Sequence, residues 1–380
     1  MEIEELRQEI VEQSRKTELS LECGLIEAGV NGPYNDPETK YRWLAHWACT
    51  YECLFSFYHD ERCIRALERI RDELIEGASY SQGAPAYCCR NKEGKDFVNG
   101  TIGPAWIILG LMAISRCLSD DRASELAVKL FLSLDYVSEL GIWKRREVDG
   151  TILWCDETFN HQLWFAAAGA DILRTIDDKM IRERVLGFLD KCMGPSLFKV
   201  YTDGLIRHYT CIPGENGSRK VALRRLAKNR IRRILNKPNM EYKEQGYHCF
   251  ALYGFALIHR SIPDHPVFRS KKIKKAIAYA FSESYIESQV RADSSRDGTL
   301  LAQQYDYCFN IYGFAYNSPA FELPFISQEL TGCAMDDDEI LALLTVQSKL
   351  TGWPERLSLD LDYPTLESRV YELSNALFRC

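Results

Sequence analysis

The feature that most constrains this 380-residue chain is internal repetition. The segment Tyr41–Tyr58 is apolar on almost every side, ends at His59-Asp60, and is followed by ERCIRALERIRDELIEG, which carries one apolar stripe. The same order recurs as Gly103–Leu118 then RASELAVKLFLSLDYV, as Thr158–Ile176 then KMIRERVLGFLDKCM, and as Gly246–Ser261 then KKIKKAIAYAFSESY. A fifth unit is expected to begin near Cys308. Centres at His46, Trp106, Leu163, Phe250 and Tyr312 lie 60, 57, 87 and 62 residues apart. A helix apolar all round is sandwiched, whereas one with a stripe has a solvent side. Each unit is therefore a hairpin of an inner and an outer helix. A final pair, Asp337–Leu350 and Thr365–Phe378, brings the count to about six. The expected fold is all-α, an (α/α)6 toroid, although a linear solenoid of hairpins shares the period.

Short strand-like stretches follow the outer helices: IWKRREVDGTILW, KVYTDGLIRHY and SSRDGTLLAQQY. Asp149-Gly150, Asp203-Gly204 and Asp297-Gly298 are hairpin signals, because glycine supplies the positive φ of the turn. These β-hairpins lead into inner helices, so they gather at one end of the ring. A site built there would stand on loops held by a rigid scaffold. The reading is of one domain over 1–380, with an N-terminal helix at 1–20 and a basic helical insertion at about 218–238.

The start of the third inner helix, Asp156-Glu157-Thr158-Phe159-Asn160-His161-Gln162, places carboxylates, amides and an imidazole where a buried helix begins. Helix capping by Asp156 or Thr158 accounts for one of these residues. It leaves Asn160, His161 and Gln162 unexplained, and an unpartnered buried polar group costs about 1–3 kcal/mol. One period earlier, 60 residues before Asp156, stands Asp96, with Asn99 and then Trp106 close behind. Two carboxylates sharing a partly dry site repel, and one can be held protonated as a general acid. The competing reading is that Asp96 solvates a turn.

His46, His161 and His248 fall on inner helices near the loop end. His161 and His248 can serve as acid and base on two sides of a substrate. No histidine pair has metal spacing beside a carboxylate, and no CxxC motif repeats among the fourteen cysteines, so neither a catalytic metal nor a cofactor is expected. Arg207 and His208, on a predicted hairpin, can reach an anionic group. Tyr34 and Asn35 stand in the opening loop NGPYNDPE, which reads as a turn followed by a helix start at Asp36-Pro37. Together with Tyr247 they extend the same rim, where aromatics nearest the loops can stack on sugar rings.

The net charge of -7 argues against nucleic acid as the main partner. Within it, Arg219–Lys237 carries nine Lys or Arg and no acid along an amphipathic pattern, which suits an anionic glycan, phosphate or membrane surface if it is not simply packed on the ring. The acidic amphipathic N-terminus, the lack of a long apolar span and the free use of thiols lead to the expectation of a cytoplasmic protein, peripheral at a membrane if the basic segment binds one.

The blocks NGPYNDPET, KDFVNGTIGPAW, DETFNHQLWFAAAGA and EQGYHCFALYGFA, in that order across residues 27–330, resemble the Q-type proteins of archaeal surface-glycosylation clusters and their bacterial relatives. That resemblance implies an (α/α)6 fold and a cytosolic step in assembling a uronic-acid-containing N-glycan or S-layer glycan; a lipid-linked oligosaccharide at a membrane surface is the partner expected if Arg219–Lys237 engages one. More distantly the chain is similar to unsaturated glucuronyl hydrolases, where one Asp opening an inner helix is general acid/base and another lies one hairpin earlier. Asp156 and Asp96 match those places. The expected function is a uronate-processing, hydrolase-like enzyme. The first alternative is a sugar epimerase or isomerase using His161 and His248, and the second is a non-catalytic glycan-binding protein.

Overall fold

The computed structural model describes residues 2–26, 28–31, 34, 36–211, 227, 228, 231, 241–290, 310, 312–351 and 367–378. The chain starts with α1 (Ile3–Glu22), a small β1–β2 ladder (Val30–Asn31, Asp36–Pro37), α2 (Lys40–Tyr58) and α3 (Glu61–Glu76). Then come β3–β4 (Ser79–Ser81, Ala84–Ala86), α4 (Ile102–Leu118), α5 (Asp121–Leu132), and the ladder β5 (Tyr136–Val137), β6 (Ile142–Arg146), β7 (Ile152–Cys155). Helices α6 (Phe159–Ile172), α7 (Lys179–Met193), α8 (Glu241–Gly246), α9 (His248–Ser261), α10 (Lys271–Ala280) and α11 (Glu283–Val290) follow. A π-turn at Gly313–Asn317 leads into α12 (Pro319–Thr331), α13 (Asp337–Thr351) and α14 (Tyr371–Leu377).

Helix α4 shows why there are two layers. Every residue from Ile102 to Ser115 is buried. In α3 only Cys63, Ala66, Leu67, Ile70 and Leu74 are buried, at the three- and four-residue steps of one face. The all-round apolar helices form the inner layer, and they close on themselves. Helix α2 packs on α4, α4 on α6, α6 on α9, α9 on α12, α12 on α14, and α14 returns to α2. This is an (α/α)6 toroid. Close approach is allowed where residues are small: a Cβ at Gly110 of α4 would collide with the backbone of Ala45 in α2.

Inner helices hand over to outer ones through a shared device. His59 and Ser119 adopt left-handed φ values of 53° and 51°, and the following Asp60 and Asp120 accept from the amides of Arg62 and Arg122 at 3.0 and 2.9 Å. The acidic residues that end the apolar runs in the sequence are thus the caps of the outer helices.

Three boundaries differ from the sequence reading. The ring closes out of phase with it, since the chain enters on an outer helix, α1, packed on α2 and α3, and the last inner position is taken by α14. The fifth inner helix begins at Pro319, not near Cys308, because the stretch around Tyr312 is spent on the π-turn and on Ser318 in a left-handed conformation. Helix α2 begins at Lys40 after Thr39, because Asp36-Pro37 pairs as β2 with Val30–Asn31. The β6–β7 hairpin forms as expected, with Gly150 at φ 89°, and so does the Val200–Ile206 turn, with Gly204 at φ 108°. The hairpin expected at Asp297-Gly298 lies outside the described residues. So does the basic segment Arg219–Lys237, except for Ala227, Lys228 and Ile231. No helix among the described residues is long and apolar enough to cross a membrane.

Candidate active site

The connections that lead into the inner helices gather at one end of the ring, and a cavity of about 130 Å³ opens among them at the start of those helices. Its wall includes His161, Asn160 and Thr158 from the start of α6, Trp106 from α4, His208 from the Val200–Ile206 hairpin, and Tyr34, Lys243 and Tyr247.

The best-defined group in it is a carboxylate–imidazole pair. His161 Nδ1 lies 2.7 Å from Asp156 Oδ2, and the Thr158 amide donates to Asp156 Oδ1 at 2.9 Å. Burial alone would push the Asp156 carboxyl up, but His161, the Thr158 amide and Arg145 outweigh it and hold the group well below the usual carboxylate range. Asp156 is therefore ionised, and it stands behind His161 without itself lining the cavity. With Nδ1–H donated to that carboxylate, the imidazole keeps its Nε2 edge for other work.

Two neighbours hold the pair. Gln162 receives the Trp143 amide at 2.9 Å and donates to the carbonyls of Trp143 and Asp156 at 2.8 and 3.1 Å, which fixes the loop before α6 to β6. Gly100, at φ 66°, lies so close to Asp156 Oδ2 and His161 Nδ1 that any Cβ there would strike both. Gln162 is thus a strut buried away from the cavity, not a substrate contact.

A second imidazole shares the cavity. His208 is buried, and that burial, with the charge of Lys243, holds it well below the usual histidine range and so neutral. Among the described residues its Nδ1 has no hydrogen-bond partner; the same is true of Trp106 Nε1 and of both amide atoms of Asn160. Buried polar atoms left this way cost about 1–3 kcal/mol each, which a ligand carrying hydroxyl groups would offset. Five of the described lining residues are basic (Arg42, Arg90, Lys95, Lys243 and Arg369) and one, Asp36, is acidic. Arg42 lies 4.1 Å from the Trp106 ring and is paired with Glu38 at 3.0 Å, while Arg369 is held by Glu322 and Glu372 at 2.7 and 2.6 Å.

The remaining expected residues separate into two sets. Tyr34, Asn99 and Tyr247 line the cavity, Asn99 accepting from Arg90 Nη1 at 3.0 Å. His248 does not. Its Nδ1 accepts from the Ile206 amide at 3.2 Å and its Nε2 is 2.9 Å from the Ala276 carbonyl oxygen, so both nitrogens are occupied inside the wall. His46 is likewise buried beside Trp106 and Tyr371, with Nδ1 3.2 Å from Ser368 Oγ. Asp96 does not face Asp156 across the cavity either. It receives the Gly100 amide at 2.6 Å and is clamped between Arg145 at 2.8 Å and Arg90 at 3.1 Å. Arg207 stacks on Tyr201 at 4.4 Å, on the side of its strand away from His208. Asn35 lies outside the described residues.

Sequence reasoning missed Lys243, Arg42, Arg90 and Arg369. Lys243 had a signal, since it stands four residues before Tyr247 and so one helical turn from it; Arg369, between Glu367 and Glu372, had none. Also unforeseen is Glu244, a buried carboxylate that receives the Tyr201 hydroxyl at 2.9 Å and the His208 amide at 3.1 Å, and that burial pushes up to about 7. No three His, Cys, Asp or Glu side chains among the described residues converge as a metal site.

Comparison with known proteins gives three informative matches. Archaeal glycosylation protein Q of Haloferax volcanii is 32% identical over 328 residues, which cover 83% of this chain and 82% of that protein. A sugar epimerase from a ruminal bacterium superposes with a TM-score of 0.59 at 10% identity, covering 99% of this chain and 98% of that one. Cellobiose 2-epimerase from Bacillus thermoamylovorans gives 0.57 at 11% identity, covering 93% and 92%. At such identities the two structures show a shared ring fold alone. No protein-family model matches the chain.

Proposed function

Because this chain belongs to the family of archaeal glycosylation protein Q, we propose that it is an enzyme of surface-glycan assembly that moves a proton on a uronic-acid-type sugar. The observation that carries this reading is the Asp156–His161 pair at 2.7 Å beside a second, neutral imidazole in one cavity. Ionised Asp156 orients the His161 ring through Nδ1, so that Nε2 takes the proton from a carbon next to a sugar carbonyl. The C–H bond breaks, an N–H bond forms on His161, and the electron pair moves onto the carbonyl oxygen. The N–H of the neutral His208 ring can donate a hydrogen bond to that oxygen, and return of the same proton from His161 to the neighbouring carbon gives an isomer. Asn160 and Trp106 serve as hydroxyl contacts, and the basic lining favours a sugar carboxylate. The setting proposed is the cytoplasmic face, with the sugar free or lipid-linked and the segment Arg219–Lys237 drawing the protein to an anionic surface.

The hydrolase-like reading, with Asp156 as proton donor and Asp96 as its partner, is served less well by this geometry. Asp156 is held ionised behind His161, and Asp96 is taken up by two guanidinium groups. A pure binding role leaves the carboxylate–imidazole pair without a use. The test is incubation with glucuronate, galacturonate and their oligosaccharides in D2O, followed by NMR. Deuterium should enter at the carbon next to the carbonyl, and Asp156→Asn should slow this by about 10²–10⁴-fold while leaving the melting temperature near that of the parent. Cleavage without deuterium uptake would shift the reading to hydrolysis, and binding with neither would make the protein a glycan receptor.

A further inference from the structure

The rim of the cavity limits what can enter it. Tyr34, on the loop before α2, and Tyr247, at the start of α9, come from distant parts of the ring, yet the Tyr247 hydroxyl donates to the Tyr34 hydroxyl at 3.0 Å. Tyr312 and Tyr316 pack beside Tyr34, with ring centroids 5.9 and 6.4 Å away, and the Tyr316 hydroxyl donates to Asn31. Burial and the neighbouring hydroxyls push the Tyr34 phenol well above its usual range, so this hydroxyl is neutral. Two ammonium groups lie on it: Lys243 Nζ is 4.7 Å from the Tyr34 ring, 5.7 Å from that of Tyr247 and 5.9 Å from that of Tyr312, and Lys95 Nζ is 5.6 Å from Tyr34. The space behind is small. A protein cavity of about 150 Å³ holds one benzene ring, and this one measures about 130 Å³.

Resting on the reading of the cavity as a sugar site, we propose that it admits a single anionic sugar unit, free or at the end of a chain, and excludes units inside a chain. Lys243 receives the carboxylate, and the hydroxyl bridge from Tyr34 to Tyr247 bars the path that a second linked sugar would need. Lys243 suits the task because an ammonium on aromatic faces is held in place while its charge still reaches an anion at short range. Lys95, the other ammonium on the rim, is paired with Asp36 at 2.5 Å.

Isothermal calorimetry on the full chain tests this with four probes: glucuronate, glucose, a disaccharide ending in glucuronate, and a trisaccharide with glucuronate in the middle. The parent protein should bind the first and third and not the fourth. Lys243→Gln should weaken glucuronate between about tenfold and a hundredfold, the loss of one charge-assisted hydrogen bond, and leave glucose unchanged. Tyr34→Ala should admit the trisaccharide; Tyr34→Phe, which keeps the ring and removes the bridge, should do so in part and guards against a misfolded Ala variant. Binding of glucose or of the trisaccharide by the parent as tightly as glucuronate, or unchanged glucuronate binding by a folded Lys243→Gln protein, would overturn the proposal. Binding of glucuronate with no deuterium exchange would sink the proton-transfer reading and leave this one standing. Binding of none of the four would overturn both.

Discussion

Helix α6 carries a buried acidic residue at each end, and the two are finished differently. Just ahead of its first turn stands Asp156, bound to one imidazole and two backbone amides, beside a cavity with unpartnered polar atoms in its wall. Near its last turn stands Asp171, which meets Arg116 at 3.0 Å, Arg174 at 2.9 Å and Arg260 at 3.6 Å; Arg116 is in turn paired with Glu52. Burial pushes Asp171 up, but the three guanidinium groups prevail and bring it down to about 2. The difference is in what is left over. The lower cluster spends its charges on itself and closes the floor of the ring, whereas the upper one leaves an imidazole edge and several donors uncommitted. Equal burial and equal charge therefore do not mark function; unspent hydrogen-bonding capacity does.

The contrast can be broken most directly at His161. His161→Gln should lower turnover about 10²–10⁴-fold and shift stability by less than about 1 kcal/mol, read by NMR exchange and by urea unfolding of the same sample. Asp171→Asn should do the reverse, costing about 3–5 kcal/mol in urea because Arg116 and Arg260 lose their counter-charge, with turnover per folded molecule unchanged. If Asp171→Asn abolished turnover in a protein that still folds, the division between the two ends would fail.

Acid sharpens the same comparison. The Asp171 carboxyl titrates lower in the folded chain than in the unfolded one, so its contribution is fully present above about pH 4 and is lost as pH falls toward 2. That contribution is roughly 2–3 kcal/mol, since each tenfold difference in proton affinity between the two states is worth about 1.4 kcal/mol. Unfolding curves taken between pH 5 and pH 2 should show this loss in the parent and a shallower one in Asp171→Asn. The smallest effect is expected at His248, whose two nitrogens are already satisfied in the wall. His248→Gln keeps one acceptor and one donor and should change turnover by less than about threefold, at a cost near 1 kcal/mol. A hundredfold loss there would restore His248 to the chemistry.

The layering of the ring was legible because it rests on composition by face: α4 has almost no polar side chain before Arg116, while Glu61, Arg65 and Glu68 mark the solvent side of α3. The turn devices were legible too, through Asp60, Asp120 and Gly150. The place of α1 and α14 was not, since amphipathicity says that a helix has a buried face but not which neighbour covers it. Asp156 and His161 stood out as polar residues opening an apolar helix. His248 stood out for the same reason and was misread as a partner of His161, because a sequence cannot show that the Ile206 amide and the Ala276 carbonyl have claimed its ring. His208 was seen only beside Arg207. The two-residue alternation of a strand turns one of them inward, and only the surroundings decide which.

The order of helices around the ring also bears on how the protein is made. The inner helix that seals the gap between α12 and α2 is the last of the six to leave the ribosome. Until residues 368–377 emerge, the apolar flanks of α2 and α12 face each other across an open seam, and Arg369 is not yet there to neutralise Glu322 and unite the rim. The nascent chain must therefore carry an unclosed wall with two exposed edges until α14 emerges, the state in which half-built proteins are most prone to stick to one another. A ring of this kind is closed in one step, and its cavity is complete only when α14 has joined the other inner helices.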